Sequence, residues 1–167
     1  VKGTVPVFVE RDGCVIDESL DVMLWALARH DPEGWMVPSI GGRDEMMALI
    51  AACDGAFKRD LDAYKYAPRE DREAALDARN SGSVFLQELD ARLADTRYLF
   101  GERVSLADMA IFPFVRQFAN VDRDWFDEEP WDCLRHWLDE FLDSARFADV
   151  MKKYTKWQAG DAPIVFG

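Results

Sequence analysis

The residues best suited to chemistry lie in two short groups near the start of the chain. Val5-Pro6 opens an apolar stretch, and Glu18-Ser19 follows it where a helix is predicted to begin. A proline that opens a strand cannot donate to the ladder, and a cis bond before Pro6 would turn the N–H and C=O groups of Val5 outward. Because an extended peptide can pair with such groups as a neighbouring strand does, we predict a peptide-binding main chain at Val5.

Glu18-Ser19 offers a second set of polar groups. A carboxylate and a hydroxyl stand there beside the N–H groups that a helix leaves unpaired at its N-terminus. The N–H and hydroxyl groups suit the carboxylate of an amino acid, and Glu18 suits its ammonium group. The pattern predicts a corner that holds an amino acid by both ends, although a strand-start proline and an ordinary helix cap would need the same residues.

The elements that would position these groups follow from local pattern. Strands are predicted at 5–10 and 14–16, which are rich in β-branched and aromatic residues, and Asp12-Gly13 predicts a two-residue hairpin loop between them. A helix is predicted to begin at 17–19 and to end near His30, because acidic and capping residues fill its first turn. Its apolar face consists of Leu20, Met23, Leu24 and Leu27.

The stretch 32–42 is rich in Pro and Gly and is predicted as a linker. It divides the chain into a partial first domain, 1–31, and a helical domain, 43–167. Helices are predicted at 43–64, at 69–95 with a bend at 80–82, from Ser105, from Pro130, and at 145–154. An acidic connection is predicted at 122–129, and 155–167 is predicted to be irregular. The predicted core residues of the first and fourth helices are Met46, Ile50, Cys53, Phe57, Leu61, Trp131, Leu134, Trp137, Leu138 and Phe141.

The helix predicted from Ser105 carries a capping-box pattern, with Asp108 in the fourth place. The Asp108 carboxylate can reach back to the Ser105 N–H group, which satisfies a donor at the helix start. The residues that follow are apolar nearly all round the helix, so we expect it in the middle of a domain. Ser105 and Asp108 are therefore assigned to building the fold and not to chemistry.

Composition argues against several classes of partner. The 167 residues include 20 basic and 32 acidic ones, for a net charge of -12, so nucleic acid or an anionic membrane would be repelled. Cys14, Cys53 and Cys133 lack metal-ligand spacing, and His30 and His136 stand alone, so no metal site is predicted. Unpaired cysteines are typical of cytosolic proteins.

The two motifs, in this order, resemble those of the glutathione S-transferase family. Residues 2–19, KGTVPVFVERDGCVIDES, look like the second half of the family's thioredoxin-like domain, and SLADMAIFPFV, which starts at Ser105, looks like the capping box of its second domain. The resemblance covers residues 2 to about 154. It implies an α+β fold that is mostly α: a remnant of a thioredoxin-like domain (β-hairpin plus helix), followed by an all-helical glutathione S-transferase C-terminal domain.

The resemblance also implies a ligand. By it, Pro6 is the cis-proline, the Val5 main chain pairs with the cysteinyl part of glutathione, and Glu18 and Ser19 hold the γ-glutamyl end. The protein implied is a cytoplasmic homodimer that uses glutathione as co-substrate, without a metal. It would conjugate glutathione to small electrophiles, or reduce thiol or disulfide substrates.

For the second substrate we expect a wall built by the helical domain. Tyr64 and Tyr66 close the first long helix, and Phe112 and Arg116 lie one turn apart on the central helix. Aromatic residues at helical spacing are more often core than pocket, so these four residues are candidates and no more.

The family's first strand, first helix and second strand have no counterpart in this sequence. They carry the Tyr, Ser or Cys that acts on the glutathione sulfur, so we expect the catalytic residue upstream of Val1 and expect this chain alone to be inactive. Cys14, in the hairpin, is interpreted as structural. Two alternatives stay open beside the enzyme: a non-catalytic binding or regulatory module of the same fold, and an incomplete protein whose hairpin needs further strands from elsewhere.

Overall fold

The computed structural model describes residues 5–68, 71–156 and 158–162. Within these ranges the chain forms a two-stranded antiparallel sheet followed by a series of helices. This is the predicted architecture, α+β and mostly helical, with the hairpin and one helix ahead of a helical bundle. The elements are β1 Phe8–Val9, β2 Val15–Ile16, α1 Ser19–Arg29, α2 Arg43–Ala52, a π-helical turn Cys53–Phe57, α3 Lys58–Tyr66, α4 Arg72–Leu93, α5 Leu106–Ala119, α6 Arg123–Glu128, α7 Asp132–Leu142 and α8 Ala145–Val150.

The hairpin pairs Phe8 with Ile16 and closes through a three-residue loop. The Gly13 N–H donates to the Glu10 carbonyl at 3.0 Å, and the Glu10 N–H donates to the Cys14 carbonyl at 2.8 Å. The prediction of a two-residue loop is wrong. A type I′ loop at Asp12-Gly13 would need a positive φ at both of these residues. Gly13 has φ 89°, and none of the described non-glycine residues has a positive φ.

Helix α1 lies against both the hairpin and the bundle. The Phe8 and Trp25 rings are 4.4 Å apart between centroids, and Arg29 pairs with Glu10 at 3.3 Å. The predicted apolar face is confirmed, since its members are half-buried and pack on the helical core: Leu20, Met23, Leu24 and Leu27.

The first long helix of the bundle follows the prediction in position but not in regularity. It runs as α2, the π-helical turn and α3, which together span residues 43–66. All five residues predicted for its buried face are buried: Met46, Ile50, Cys53, Phe57 and Leu61.

Helix α4 continues unbroken through Asn80-Ser81-Gly82, where the sequence suggests a bend. Gly82 is buried against α5, and a Cβ atom built there would lie 2.6 Å from Cε2 of Phe118. The glycine therefore makes room for the Phe118 ring and does not interrupt α4.

The prediction of an acidic connection at 122–129 is wrong, because this segment contains the short helix α6. The side chain of Asp122 accepts from the Trp125 N–H at 3.2 Å, and Phe126 on this helix is fully buried. An N-cap and one buried aromatic residue thus suffice for a helix in an otherwise acidic stretch.

The last helices agree with the prediction apart from their ends. The five residues predicted for the buried face of α7 are buried. Pro130 lies before this helix and not within it, because α7 begins at Asp132. Helix α8 ends at Val150, four residues before the predicted end, and residues 155–156 and 158–162 contain no helix or strand. The capping box predicted at Ser105 and Asp108 is present at the start of α5.

Candidate functional site

The first candidate residues, Val5 and Pro6, lie at the exposed beginning of the described chain. The peptide bond between them is cis, as the resemblance implies. Val5 is 93% exposed, and its main chain lies outside the β1–β2 ladder, which begins at Phe8. The N–H and C=O groups of Val5 are therefore accessible from solvent.

Glu18 and Ser19 lie at the N-terminus of α1, where the sequence places them. Glu18 is the N-cap residue, with φ -111° and ψ 138°, and its carbonyl accepts from the Val22 N–H at 3.0 Å. Both side chains are exposed. The first-turn N–H groups have no partners within a helix, and the helix dipole adds partial positive charge at this end. The corner can therefore hold an anion beside a carboxylate.

Ser19 also faces the bundle. It borders a small cavity between α1, α2 and α5, together with Cys53, Asp54 and Phe114. The cavity measures about 20 Å³, which is room for a single water molecule and not for a ligand. A ligand held by Ser19 would therefore lie on the outer side of this contact.

The four candidates for a second-substrate wall do not share one pocket. Phe112 and Arg116 both line a largely apolar pocket of about 330 Å³ between α5 and α8, called the α5–α8 pocket below. Tyr64 is buried and borders a different cleft, and its ring is tilted by 50° against the Phe118 ring at 5.1 Å between centroids. Tyr66 is 68% exposed. The structure thus brings two of the four together.

Trp35 and Phe147 also line the α5–α8 pocket, and sequence reasoning missed both. Trp35 lies in the predicted linker, which is more ordered than its Pro and Gly content suggests. The Asp31 carboxylate accepts from the Trp35 and Met36 N–H groups at 2.8 and 3.0 Å, and the Trp35 carbonyl accepts from the Leu106 N–H at 2.9 Å. An Asp that precedes Pro and Gly is typical of such a turn and was the available signal.

None of the three cysteines is disulfide-bonded, and their environments differ. Cys14 is exposed on the hairpin, whereas Cys53 is buried at the start of the π-helical turn. Burial raises the pKa of the Cys53 thiol to about 12, and Asp54 adds to this shift. Because the thiolate is the nucleophilic form, Cys53 is not a candidate nucleophile.

The described residues contain no group of three or more His, Cys, Asp or Glu side chains placed to bind a metal ion. No described helix has the length and apolar character needed to cross a bilayer.

Comparison with known proteins agrees with this architecture. Residues 85–140 match the family model described as "Glutathione S-transferase, C-terminal domain". A ternary complex of BphK, a bacterial GST, gives a TM-score of 0.73 at 20% identity and covers 89% of this chain and 73% of that one. A glutathione transferase family member from Pseudomonas fluorescens Pf-5, with two glutathione bound, gives 0.69 at 16% identity over 81% of this chain and 63% of that one.

The chain is also similar to a curated protein that is not named as a transferase. Elongation factor 1-gamma of Drosophila melanogaster is 27% identical over 142 residues, which are 74% of this chain and 31% of that protein. The chain therefore spans about a third of the length of this relative. The resemblance inferred from the two sequence motifs is confirmed for the fold, while the roles of Val5, Pro6, Glu18 and Ser19 and the division into domains stay predictions.

Proposed function

We propose that this chain, whose fold is that of the glutathione S-transferases, holds glutathione between the Val5 main chain and Glu18-Ser19. The observation that carries the proposal is the position of Glu18-Ser19 at the exposed N-terminus of α1. Unpaired N–H groups and the helix dipole favour an anion there, and the Ser19 hydroxyl adds a further donor. Bound glutathione in the Pseudomonas fluorescens relative supports this choice of ligand.

Each group has a defined part in the proposal. The α-carboxylate of the γ-glutamyl end accepts from the first-turn N–H groups and from Ser19, and Glu18 accepts from the ammonium group. The cysteinyl part of glutathione pairs with the main chain of Val5, beside Pro6, as an added strand would. The proposed site thus contacts the carboxylate and ammonium groups of the γ-glutamyl end and the backbone of the cysteinyl part.

The proposed chemistry is that of the glutathione thiol. In conjugation, its sulfur would lose its proton and form a C–S bond to a small electrophile, whose leaving group departs. In disulfide exchange, the thiolate would attack one sulfur of the substrate, form a mixed disulfide and release the other sulfur as a thiolate. The residue that activates the thiol is not assigned within this chain, and Cys53 is unsuited to it because burial disfavours its thiolate. Phe112 and Arg116 remain the proposed wall for the second substrate, because they share the α5–α8 pocket.

We further propose a cytoplasmic homodimer that works without a metal ion. The three free cysteines support a reducing compartment. Neither nucleic acid nor a membrane surface is proposed as a partner, since the net charge of -12 would repel both.

A second candidate function is a non-catalytic binding module. The observation in its favour is the 27% identity to elongation factor 1-gamma over 142 residues. In this case the fold would serve assembly with another protein, and Glu18-Ser19 would be only a helix cap.

Calorimetric titration of the full chain with glutathione tests the first candidate. We expect Glu18→Gln and Ser19→Ala each to weaken binding by roughly tenfold, because each removes a hydrogen bond to a charged group. Asp17→Asn is the matched control, since it removes the same charge one residue earlier, at another exposed position. The dipeptide Cys-Gly, which lacks the γ-glutamyl end, should bind the parent chain and the Glu18 and Ser19 variants alike.

Two results would reject the glutathione site. One is an absence of binding by a chain with a native helical circular dichroism spectrum, which would favour the binding module. The other is equal binding by the parent chain, both site variants and the Asp17→Asn control.

A further inference from the structure

We infer that a cleft between the end of α3, the first two turns of α4 and the α5–α6 turn binds a phosphoryl group, either as inorganic phosphate or as part of a compact phosphate monoester. This α3–α4 cleft measures about 280 Å³, and its polar lining residues are Tyr64, Arg72, Arg79 and Asp122. Neither the residues proposed to hold glutathione nor those of the α5–α8 pocket line it. Binding there is therefore independent of the proposed function.

Arg79 carries a positive charge that no described carboxylate neutralises through an ion pair. Its guanidinium lies over the Trp125 ring, 4.2 Å from the centroid, and its Nε atom is buried without a hydrogen-bond partner among the described residues. This N–H group has lost contact with water without gaining an acceptor, and charges attract more strongly in such surroundings than at an open surface. Because Nε is closed off, we assign the contact with the ligand to the terminal nitrogens of Arg79.

Tyr64 and Arg72 bring two further donors to the cleft from different helices. Burial raises the pKa of the Tyr64 hydroxyl, although the nearby Arg79 guanidinium opposes the shift, so the hydroxyl keeps its proton at neutral pH and can donate. Arg72 is exposed, and within the described part of the chain it too forms no ion pair. The cleft thus combines a half-buried cation, an exposed cation and a hydroxyl group.

Asp122 is the one carboxylate among the described residues that line the cleft. It is the N-cap residue of α6, and its side chain accepts from the Trp125 N–H at 3.2 Å. Two cations against one carboxylate leave the cleft locally positive in a chain with a net charge of -12. Since salt screens exposed charges beyond about 8 Å at physiological ionic strength, these local groups outweigh the distant acidic residues.

This arrangement favours a compact tetrahedral oxyanion. A cation would be repelled by Arg72 and Arg79, and a neutral ligand would leave Arg79 without an anionic partner. A carboxylate presents two oxygens in one plane, whereas a phosphoryl group presents three in different directions and can meet donors on α3 and α4 together. The volume of about 280 Å³ lies just below the usual range for small-molecule sites, so the ligand must be small.

Calorimetric titration of the full chain at physiological ionic strength tests the inference, with inorganic phosphate, methyl phosphate and acetate as probes. We expect both phosphates to bind, and acetate to bind at least about tenfold more weakly because it has fewer oxygens and less charge. Tighter binding of methyl phosphate than of inorganic phosphate would identify a monoester as the ligand, and equal binding would identify free phosphate.

Two substitutions locate the binding. Arg79→Gln should weaken binding of methyl phosphate by roughly tenfold, because it removes hydrogen bonds to a charged group. Arg72→Gln should weaken it by about threefold, because an exposed charge pair contributes less. Arg59→Gln, at an exposed position on α3 outside the cleft, is the matched control and should bind like the parent chain.

A third substitution should change the affinity in the opposite direction. Asp122→Asn removes the negative charge from the cleft, while asparagine remains a good N-cap for α6. We expect it to bind methyl phosphate about threefold more tightly than the parent chain does. Asp77→Asn, at an exposed position on α4 outside the cleft lining, is its matched control.

The test does not depend on the folding of the Arg79 variant, because Arg72 and Asp122 are both exposed. Three results would overturn the inference. They are an absence of binding by both phosphates, binding of acetate as tight as that of methyl phosphate, and equal affinity of the parent chain, the folded cleft variants and their controls for methyl phosphate.

Discussion

The indole N–H of Trp137 donates to a carboxylate oxygen of Asp108 at 3.0 Å and so joins α7 to the start of α5. The same oxygen accepts from the Leu99 N–H at 3.0 Å, and the other oxygen accepts from the N–H and hydroxyl of Ser105 at 2.8 and 2.7 Å. Asp108 is completely buried, and burial raises the pKa of its carboxyl group although these four donors oppose the shift. The capping box is therefore also the point at which three segments of the bundle meet.

Replacement of Asp108 by Asn should destabilise the chain strongly. An amide has one acceptor oxygen, so with that oxygen towards Leu99 and Trp137 its NH2 group would face the Ser105 N–H, and only the Ser105 hydroxyl could turn to accept from it. We expect the free energy of unfolding in urea to fall by about 3 kcal/mol, the cost of leaving buried donors unpaired. Trp137→Phe removes a single donor and should cost less, about 1 kcal/mol from the hydrogen bond. Asp77→Asn, at an exposed position on α4, is the control, and an equal loss in it would contradict this account.

Gly82→Ala should lower the melting temperature even though alanine favours a helix. The new Cβ atom would lie 2.6 Å from Phe118, which is buried and has little room to move. A contact of 2.6 Å requires the ring or the helix to shift, so we expect an overpacking cost of about 2–3 kcal/mol, against a gain of about 1 kcal/mol in helix propensity.

Gly55→Ala is the matched control for that substitution. Its Cβ atom would meet only the end of the Arg59 side chain, at 4.0 Å. A melting temperature that rises in Gly82→Ala as much as in Gly55→Ala would disprove the close approach of α4 to Phe118.

Stability should fall with rising pH in a way that depends on Cys53. Burial raises the pKa of this thiol from 9.0 to about 12, so between these values the unfolded chain loses a proton that the folded chain keeps. The contribution is therefore fully present below pH 9 and is lost as the pH rises towards 12. From about pH 8 to about pH 10, we expect the parent chain to lose about 1.4 kcal/mol more of its unfolding free energy than Cys53→Ala does.

Cys14→Ala serves as the control for this pH series, because Cys14 is exposed. Its unfolding free energy should follow that of the parent chain across the series. A parent chain and a Cys53→Ala variant with the same pH dependence would show that the thiol ionises freely in the folded state.

The faces of the helices could be read from the sequence, because apolar spacing directly determines which side of a helix packs inward. This holds for Leu20 and Leu24 on α1 and for Trp131 and Trp137 at α7. The helix start at Glu18 was expected from the acidic and capping residues of its first turn, the cis bond before Pro6 was expected from the family resemblance, and both are present. What could be predicted was therefore local, or was carried by a motif.

The remaining features depend on contacts between distant segments. In the sequence, Gly82 suggests a bend in the helix. In the structure, it leaves room for the ring of Phe118, which is 36 residues away in the chain. Tyr64 and Phe112 are both aromatic residues on predicted helices, so the sequence does not distinguish them. They border different clefts because Tyr64 lies on α3 and Phe112 lies on α5. Trp35 enters the α5–α8 pocket through hydrogen bonds to Asp31 and Leu106, and only the second of these joins residues far apart in the chain.

Helix α1 has no fully buried residue among its 11, whereas α5 buries residues along its whole length. Segments with so little buried surface open locally at a lower free energy than the rest of a protein. A ligand bound at Glu18-Ser19 would therefore stabilise the closed form of a segment that opens easily, and part of its binding free energy would be spent in ordering that segment. Amide hydrogen exchange in α1 would then report ligand occupancy, while exchange in α5 would stay constant.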